Sequence, residues 1–193
     1  MKLRGLYAIT PERGEVERKT RLALEGGIAL LQYRQKKRNL DLARAIVLLG
    51  KEFGVPVIIN DDVELAVELG ADGVHLGRDD GDLAAARNRL RGKLLGASCY
   101  NDAALARGAV KAGADYVAFG SVFSSPTKPA AVRAPLTLFA QALGVPLAAI
   151  GGITLDNAPQ LIAAGADLLA VISDLFDAPD IRQRARDYGK LFA

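Results

Sequence analysis

Gly70-Ala71-Asp72-Gly73-Val74-His75-Leu76 leads from the end of one periodic segment into a short apolar run, and the chain writes this junction three times. Gly113-Ala114-Asp115 enters Tyr116-Val117-Ala118-Phe119, and Gly165-Ala166-Asp167 enters Leu168-Leu169-Ala170-Val171. In each, glycine supplies the left-handed residue that ends a helix, alanine packs closely, and aspartate turns the chain into the next strand. Gly54-Val55-Pro56 and Gly144-Val145-Pro146 are a second version of the same junction. The run after the first of these, Val57-Ile58-Ile59, carries no charge, which predicts a strand buried on both faces, as in parallel sheets.

Working outward, strands are expected at Gly5–Ile9, Ala29–Arg34, Val55–Asn60, Gly73–Leu76, Lys93–Ser98, Tyr116–Gly120, Pro146–Ile150 and Leu168–Ile172. Amphipathic segments with helical spacing lie between them, among them Leu40–Phe53, Asp61–Leu69, Asp102–Ala112, Leu155–Ala164 and Asp180–Lys190. Eight strand–helix units predict an α/β fold, a single (β/α)8 TIM barrel filling residues 1–193 as one catalytic domain. An open doubly wound sheet would carry a glycine-rich fingerprint after its first strand. That loop reads Thr10-Pro11-Glu12-Arg13 instead.

Composition narrows the functional classes. Half of the 193 residues are hydrophobic, tryptophan is absent and the net charge is +3. No apolar run approaches the roughly 18 residues of a membrane span, and the N-terminus shows no signal-peptide pattern. The expectation is a cytoplasmic protein with no membrane partner. Cys99, the lone cysteine, excludes an internal disulfide and suits a reducing compartment. Arg87, Arg89, Arg91 and Lys93 read as the solvated end of one helix, and no nucleic-acid motif accompanies them.

In such a barrel chemistry sits at the carboxyl ends of the strands. The third strand ends in Asn60-Asp61-Asp62 and the fourth runs into Arg78-Asp79-Asp80. Adjacent carboxylates at buried strand ends repel one another, a cost that a divalent cation with oxygen ligands would offset. An ordinary helix start, with Asn60 or Asp61 as N-cap, is the alternative. Gln32, Arg34 and Lys36 alternate along the second strand and would present one amide and two cations to a diphosphate, unless they form a basic exposed turn. His75, the only histidine, reads as a packed or hydrogen-bonded strand residue rather than a ligand or base. Ser98 stands where a hydroxyl reaches the mouth, Asn101 looks like a helix N-cap, and Cys99 lacks an evident histidine partner, which argues against nucleophilic catalysis. The long loop after the sixth strand carries Ser125, Pro126, Thr127 and Lys128, donors and a cation for phosphate, with an idle loop tip as the alternative. Gly151-Gly152 and Ile172-Ser173 close the seventh and eighth strands, where these barrels hold phosphate on backbone N–H groups. Two anion regions, one cation site and no covalent nucleophile point to metal-assisted loss of a diphosphate.

Gln32-Tyr33-Arg34-Gln35-Lys36, Ile59-Asn60-Asp61, Val74-His75-Leu76-Gly77 with Asp80, Gly96-Ala97-Ser98, Phe119-Gly120 with Ser125-Pro126-Thr127-Lys128, Gly151-Gly152-Ile153 and Ile172-Ser173 together resemble the thiamine-phosphate synthase family over nearly the whole chain. The resemblance implies a Mg2+-dependent transferase that joins hydroxymethylpyrimidine diphosphate to thiazole phosphate, releasing pyrophosphate by a dissociative route. It implies that Gln32, Tyr33, Arg34, Gln35, Lys36, Asn60, Ser98 and Lys128 hold the pyrimidine diphosphate, with Arg34, Lys36, Ser98 and Lys128 serving catalysis. Asp61 and Asp80 would bind Mg2+. Ser125, Pro126, Thr127, Gly151, Gly152, Ile172 and Ser173 would hold the thiazole phosphate. The chain departs from the family pattern at Arg78, where glutamine is usual, at Ser124-Ser125, where Pro-Thr is usual, and in an N-terminal helix expected to be absent. A thiazole tautomerase resembles it less, because that relative uses a histidine where Tyr100 stands. A non-catalytic binding relative would not need both acid sites and all three cations. Small phosphorylated molecules are the expected partners, and a homo-oligomer is left open.

Overall fold

The apolar runs become one closed parallel sheet. The computed structural model describes residues 3–124 and 133–193. Its strands β1 (Gly5–Ile9), β2 (Leu30–Tyr33), β3 (Val57–Asn60), β4 (Gly73–Leu76), β5 (Leu94–Tyr100), β6 (Tyr116–Gly120), β7 (Leu147–Ile150) and β8 (Leu168–Val171) lie in sequence order, and β8 pairs back onto β1. Helices α1 (Val16–Gly26), α2 (Leu40–Phe53), α3 (Val63–Glu68), α4 (Leu83–Arg89), α5 (Ala103–Lys111), α6 (Ala158–Ala163), α7 (Ser173–Phe176) and α8 (Ile181–Lys190) wrap the outside. No helix among the described residues is long and apolar enough to cross a membrane.

Alternation along each strand divides the core into two shells. Tyr7, Ile9, Leu30, Ile58, Tyr116, Ala118, Ala148, Leu168 and Ala170 fill the barrel interior. Their sequence neighbours, among them Leu31, Tyr33, Val57, Ile59, Val74 and Cys99, pack outward against the helices.

Several boundaries differ from the sequence reading, each for a local reason. The sixth unit returns through a 3-10 helix, Leu136–Ala140, because Pro135 opens it and the next junction follows within a few residues. Helix α3 starts at Val63, since the Asp62 carboxylate, not Asn60 or Asp61, caps it by accepting from Leu65 N at 2.8 Å. Helix α6 starts at Ala158, because Thr154 N donates to Asn157 Oδ1 at 2.9 Å and holds the preceding turn apart. Asp102, not Asn101, caps α5.

The three Gly-Ala-Asp junctions do more than turn the chain. Asp72 N donates to Val57 O at 2.9 Å while the Asp72 carboxylate accepts from Val57 N at 2.8 Å. Asp115 does the same to Leu95, at 2.7 Å both ways, and Asp167 to Leu147, at 2.8 and 3.1 Å. Each aspartate before an even strand thus satisfies an amide and a carbonyl at the start of the odd strand beside it. The buried backbone of β3, β5 and β7 is thereby paired at the amino end of the barrel, where strand neighbours alone would leave it open. Arg87 reinforces one junction, bonding Asp115 at 2.8 Å.

Asp72→Ala is expected to lower stability by about 1–3 kcal/mol, because it strands the Val57 amide in a half-buried site. The check is the denaturant midpoint at unchanged m-value, and a loss below about 0.5 kcal/mol would show that water replaces the carboxylate there.

Candidate active site

At the carboxyl ends of the strands two carboxyl groups are set against each other. Asp61 follows β3 in a left-handed turn, at φ 61, a conformation that short polar side chains tolerate better than most. Its N–H donates to His75 O at 2.9 Å, which fixes it beside β4. The Asp80 carboxylate reaches back over the end of β4 to accept from Gly77 N at 3.0 Å. The two carboxyls meet. Partial desolvation first, then the Asp80 charge and a hydrogen bond with Asp80, push the Asp61 carboxyl up to about 6. The Asn60 amide, which donates to Asp61, and the Arg34 charge act the other way.

A carboxyl pair that holds back its own ionisation is the donor set a small hard cation needs: oxygen ligands, net negative charge and room for water or substrate oxygens. These residues fit Mg2+.

Strand β2 ends at Tyr33, so strict alternation stops there, and the loop beyond it is built differently from the sequence reading. Gln32 points inward as expected. Arg34 is held by its backbone to Thr10, with Arg34 N on Thr10 Oγ1 at 2.9 Å and Thr10 Oγ1 on Arg34 O at 3.1 Å. Glu12 accepts from the Arg34 guanidinium and from Lys36 N, both at 3.2 Å, leaving the Lys36 ammonium on the exposed rim. Gln35 donates to Pro11 O at 2.8 Å. Tyr33 is a correction: its ring is buried in the outer shell and its hydroxyl donates to Asn39 O at 2.9 Å, so the side chain packs and does not face the mouth.

The Gly151-Gly152 turn lies against the start of the loop after β6. Gly152 has φ 65, and a Cβ there would come within 2.4 Å of Ser124 O, so only glycine allows the turn to seat on that loop. Phe123 N donates to Gly151 O at 3.0 Å. Ile172 adjoins the interior shell, and Ser173 opens α7 at the exposed lip. Ser125, Pro126, Thr127 and Lys128 lie outside the described residues.

Burial settles the remaining candidates. Cys99 points into the outer shell, and desolvation pushes its thiol up to about 12, so no thiolate forms near neutral pH. Arg78 lays its guanidinium over the Tyr100 ring, 5.0 Å from the centroid, on the rim beside the Asp80 turn. His75 is hydrogen-bonded at both ring nitrogens, to Tyr116 OH at 3.0 Å and to Ser98 Oγ at 2.9 Å. Sequence reading left out Glu12, Thr10, Tyr7 and Tyr116. A polar tip at an interior position of an apolar strand is the signal that would have marked the two tyrosines.

A family model described as thiamine monophosphate synthase matches residues 6–175. The chain is 59% identical over 206 residues to a thiamine-phosphate synthase of Aromatoleum aromaticum, covering 99% of this chain and 97% of the relative. It is 54% identical over 200 residues to one of Methylobacillus flagellatus, covering 98% and 96%. Among solved structures, a thiamine phosphate pyrophosphorylase from Pyrococcus furiosus superposes with a TM-score of 0.87 at 32% identity, over 97% of this chain and 95% of that one. A 3-hexulose-6-phosphate synthase from Salmonella typhimurium, at 20% identity and a TM-score of 0.74 over 97% and 98% of the chains, shares the fold alone.

The buried imidazole carries a pH signature. Desolvation lowers His75 from its ordinary 6.5 to about 4, against a smaller opposing pull from Asp80. The unfolded chain therefore takes up this proton before the folded one, so His75 contributes a loss of stability as pH drops from 6.5 towards 4, while the raised Asp61 carboxyl, protonated first in the folded chain, acts in the opposite direction. The loss amounts to on the order of 3 kcal/mol at most. His75→Gln should remove that contribution, so its stability relative to wild type should rise as pH drops in urea titrations taken across the window. An unchanged acid limb would assign the slope to other groups.

Proposed function

Because this chain belongs to the thiamine monophosphate synthase family and is on that ground a transferase, we propose that it joins hydroxymethylpyrimidine diphosphate to thiazole phosphate, forming thiamine phosphate and releasing pyrophosphate. The observation that carries the reading is the carboxyl pair Asp61–Asp80 facing the Arg34 charge across the ends of β2, β3 and β4. Asp61 and Asp80 would hold Mg2+, which when bound supplies positive charge to the diphosphate oxygens.

The chain's own residues account for the rest. Arg34, fixed by Thr10 and Glu12, meets the diphosphate with a preset guanidinium, while the Lys36 ammonium swings in from the rim. Gln32, Asn60 and Ser98 orient the pyrimidine over the interior shell. Lys128 neutralises charge growing on the leaving oxygens, and Ser125, Pro126, Thr127, Gly151, Gly152, Ile172 and Ser173 hold the thiazole phosphate. The bond to diphosphate breaks first, and the thiazole nitrogen attacks the pyrimidine cation that results. Electrostatic stabilisation of the departing group suffices for this route. The buried thiol of Cys99 suits it, since no protein nucleophile is required. Residues 1–193 act as one catalytic domain, in the cytoplasm.

The decisive assay incubates the protein with both substrates and Mg2+ and looks for thiamine phosphate and pyrophosphate. Asp61→Ala and Asp80→Ala should each cost on the order of 10²-fold or more in Mg2+-dependent turnover while the circular dichroism spectrum stays native. Variants that keep full turnover and the same Mg2+ requirement would remove both aspartates from the metal site.

A further inference from the structure

Five side chains from five strands form one hydrogen-bonded chain through the barrel interior. Gln32 Nε2 donates to Tyr7 OH at 2.6 Å, and Tyr7 OH meets Tyr116 OH at 2.7 Å. Tyr116 OH meets His75 Nδ1 at 3.0 Å, and His75 Nε2 meets Ser98 Oγ at 2.9 Å. The strand register explains the meeting. His75 pairs with Gly96 and Gly96 with Tyr116, so the three stand in one row across β4, β5 and β6. A Cβ on Gly96 would lie 2.1 Å from the Tyr116 ring and 2.5 Å from His75 Nδ1. The missing side chain is the space in which the two rings stack, 5.5 Å apart.

Four of the five members are buried, with Tyr7 1%, Tyr116 0%, Gln32 3% and His75 7% exposed. The two ends lie towards the carboxyl ends of β2 and β5. Ser98 is half-buried, and the free carboxamide oxygen of Gln32 is not a sealed orphan, since Thr20 Oγ1 is the sole such atom among the described residues.

A hydroxyl with one proton that accepts from one neighbour donates to the other. A neutral imidazole that accepts at Nδ1 carries its proton at Nε2. Polarity set at one end is therefore transmitted to the other. With the Gln32 amide donating to Tyr7, Tyr7 donates to Tyr116, Tyr116 donates to His75 Nδ1, and His75 Nε2–H donates to Ser98. Ser98 then keeps a hydroxyl hydrogen to donate outward, while Gln32 offers its oxygen. Turning the Gln32 amide over reverses every bond in the chain. Arrangements that mix the two directions leave a buried donor unpaired.

We propose that this chain makes Gln32 and Ser98 a coupled acceptor–donor pair, with Tyr7, Tyr116 and His75 as positioning residues that decide which edge of a heteroaromatic ring the site accepts. The proposal rests on the reading above that these two residues face the pyrimidine. In the direction drawn, the pair complements an amino group beside a ring nitrogen acceptor. The oxo analogue of the same ring has nearly the same shape but the opposite hydrogen-bond pattern, and admitting it would require inverting the whole buried chain.

His75 is the only histidine, so isotope labelling of histidine nitrogen gives one imidazole to read by NMR. The expected wild-type spectrum has Nε2 protonated and Nδ1 bare, and Tyr116→Phe should collapse it to a tautomer mixture. In parallel, the ratio of kcat/KM for the amino over the oxo pyrimidine diphosphate should fall by about tenfold or more in Tyr116→Phe and in Tyr7→Phe. An Nδ1-protonated wild-type ring overturns the proposal, as does a folded Tyr116→Phe or Tyr7→Phe variant that keeps the wild-type ratio. A wild-type protein that makes no thiamine phosphate would instead overturn the functional reading, and the imidazole spectrum would still decide the polarity of the chain.

Discussion

A closed barrel has no free edges, but it has two open ends, and the backbone at each end must find partners. At the amino end this constraint is met by three aspartates that each bond an adjacent strand through both backbone and carboxylate. Everything else in the molecule presupposes that closure. It fixes the strand order, and with the order it fixes the register that brings side chains from distant parts of the sequence into common rows. The same residue type is used in opposite ways at the two ends. Below, carboxylates are satisfied by amides and by Arg87. Above, Asp61 and Asp80 are turned towards each other, and the fold tolerates an electrostatic conflict that a ligand can relieve.

The interior follows the same division. Its lower part is apolar, with Leu30 and Leu168 as filler, and polarity rises towards the mouth through Tyr7, Tyr116, His75 and finally Gln32 and Ser98. The polar residues at the mouth are thus not held by loops alone. They are anchored by hydrogen bonds that reach down into the packed barrel, which limits how far they can reorient when a ligand arrives.

Much of this was legible in the sequence, and the limits are instructive. The repeated Gly-Ala-Asp junctions fixed the barrel because helix end, tight packing and strand entry are local events. Asp61, Asp80, Gln32 and Ser98 were singled out because they stand at strand ends, a position readable from a short apolar run. Tyr33 was misread because a motif-wide assignment ignored alternation, which sends it outward. Tyr7 and Tyr116 were missed because they are 109 residues apart, and only barrel closure brings their hydroxyls together. The second bond made by each junction aspartate was invisible for the same reason: its partner belongs to the previous strand. Ser125 to Lys128 could be read as chemistry from their types and spacing alone.

The space left by Gly96 has a consequence for how such a chain can change. A methyl group there would collide with Tyr116 and His75 together, so that position cannot drift while both rings remain. Shortening Tyr116 removes one of the two obstacles but also cuts the polar chain, and replacing His75 leaves the tyrosine hydroxyl one partner short. The three positions are therefore epistatic, and a step harmful on its own becomes tolerable after another has been taken. Descendants of this barrel that read a different ring would be expected to have changed the row as a block, and the order of those substitutions would be dictated by volume before chemistry.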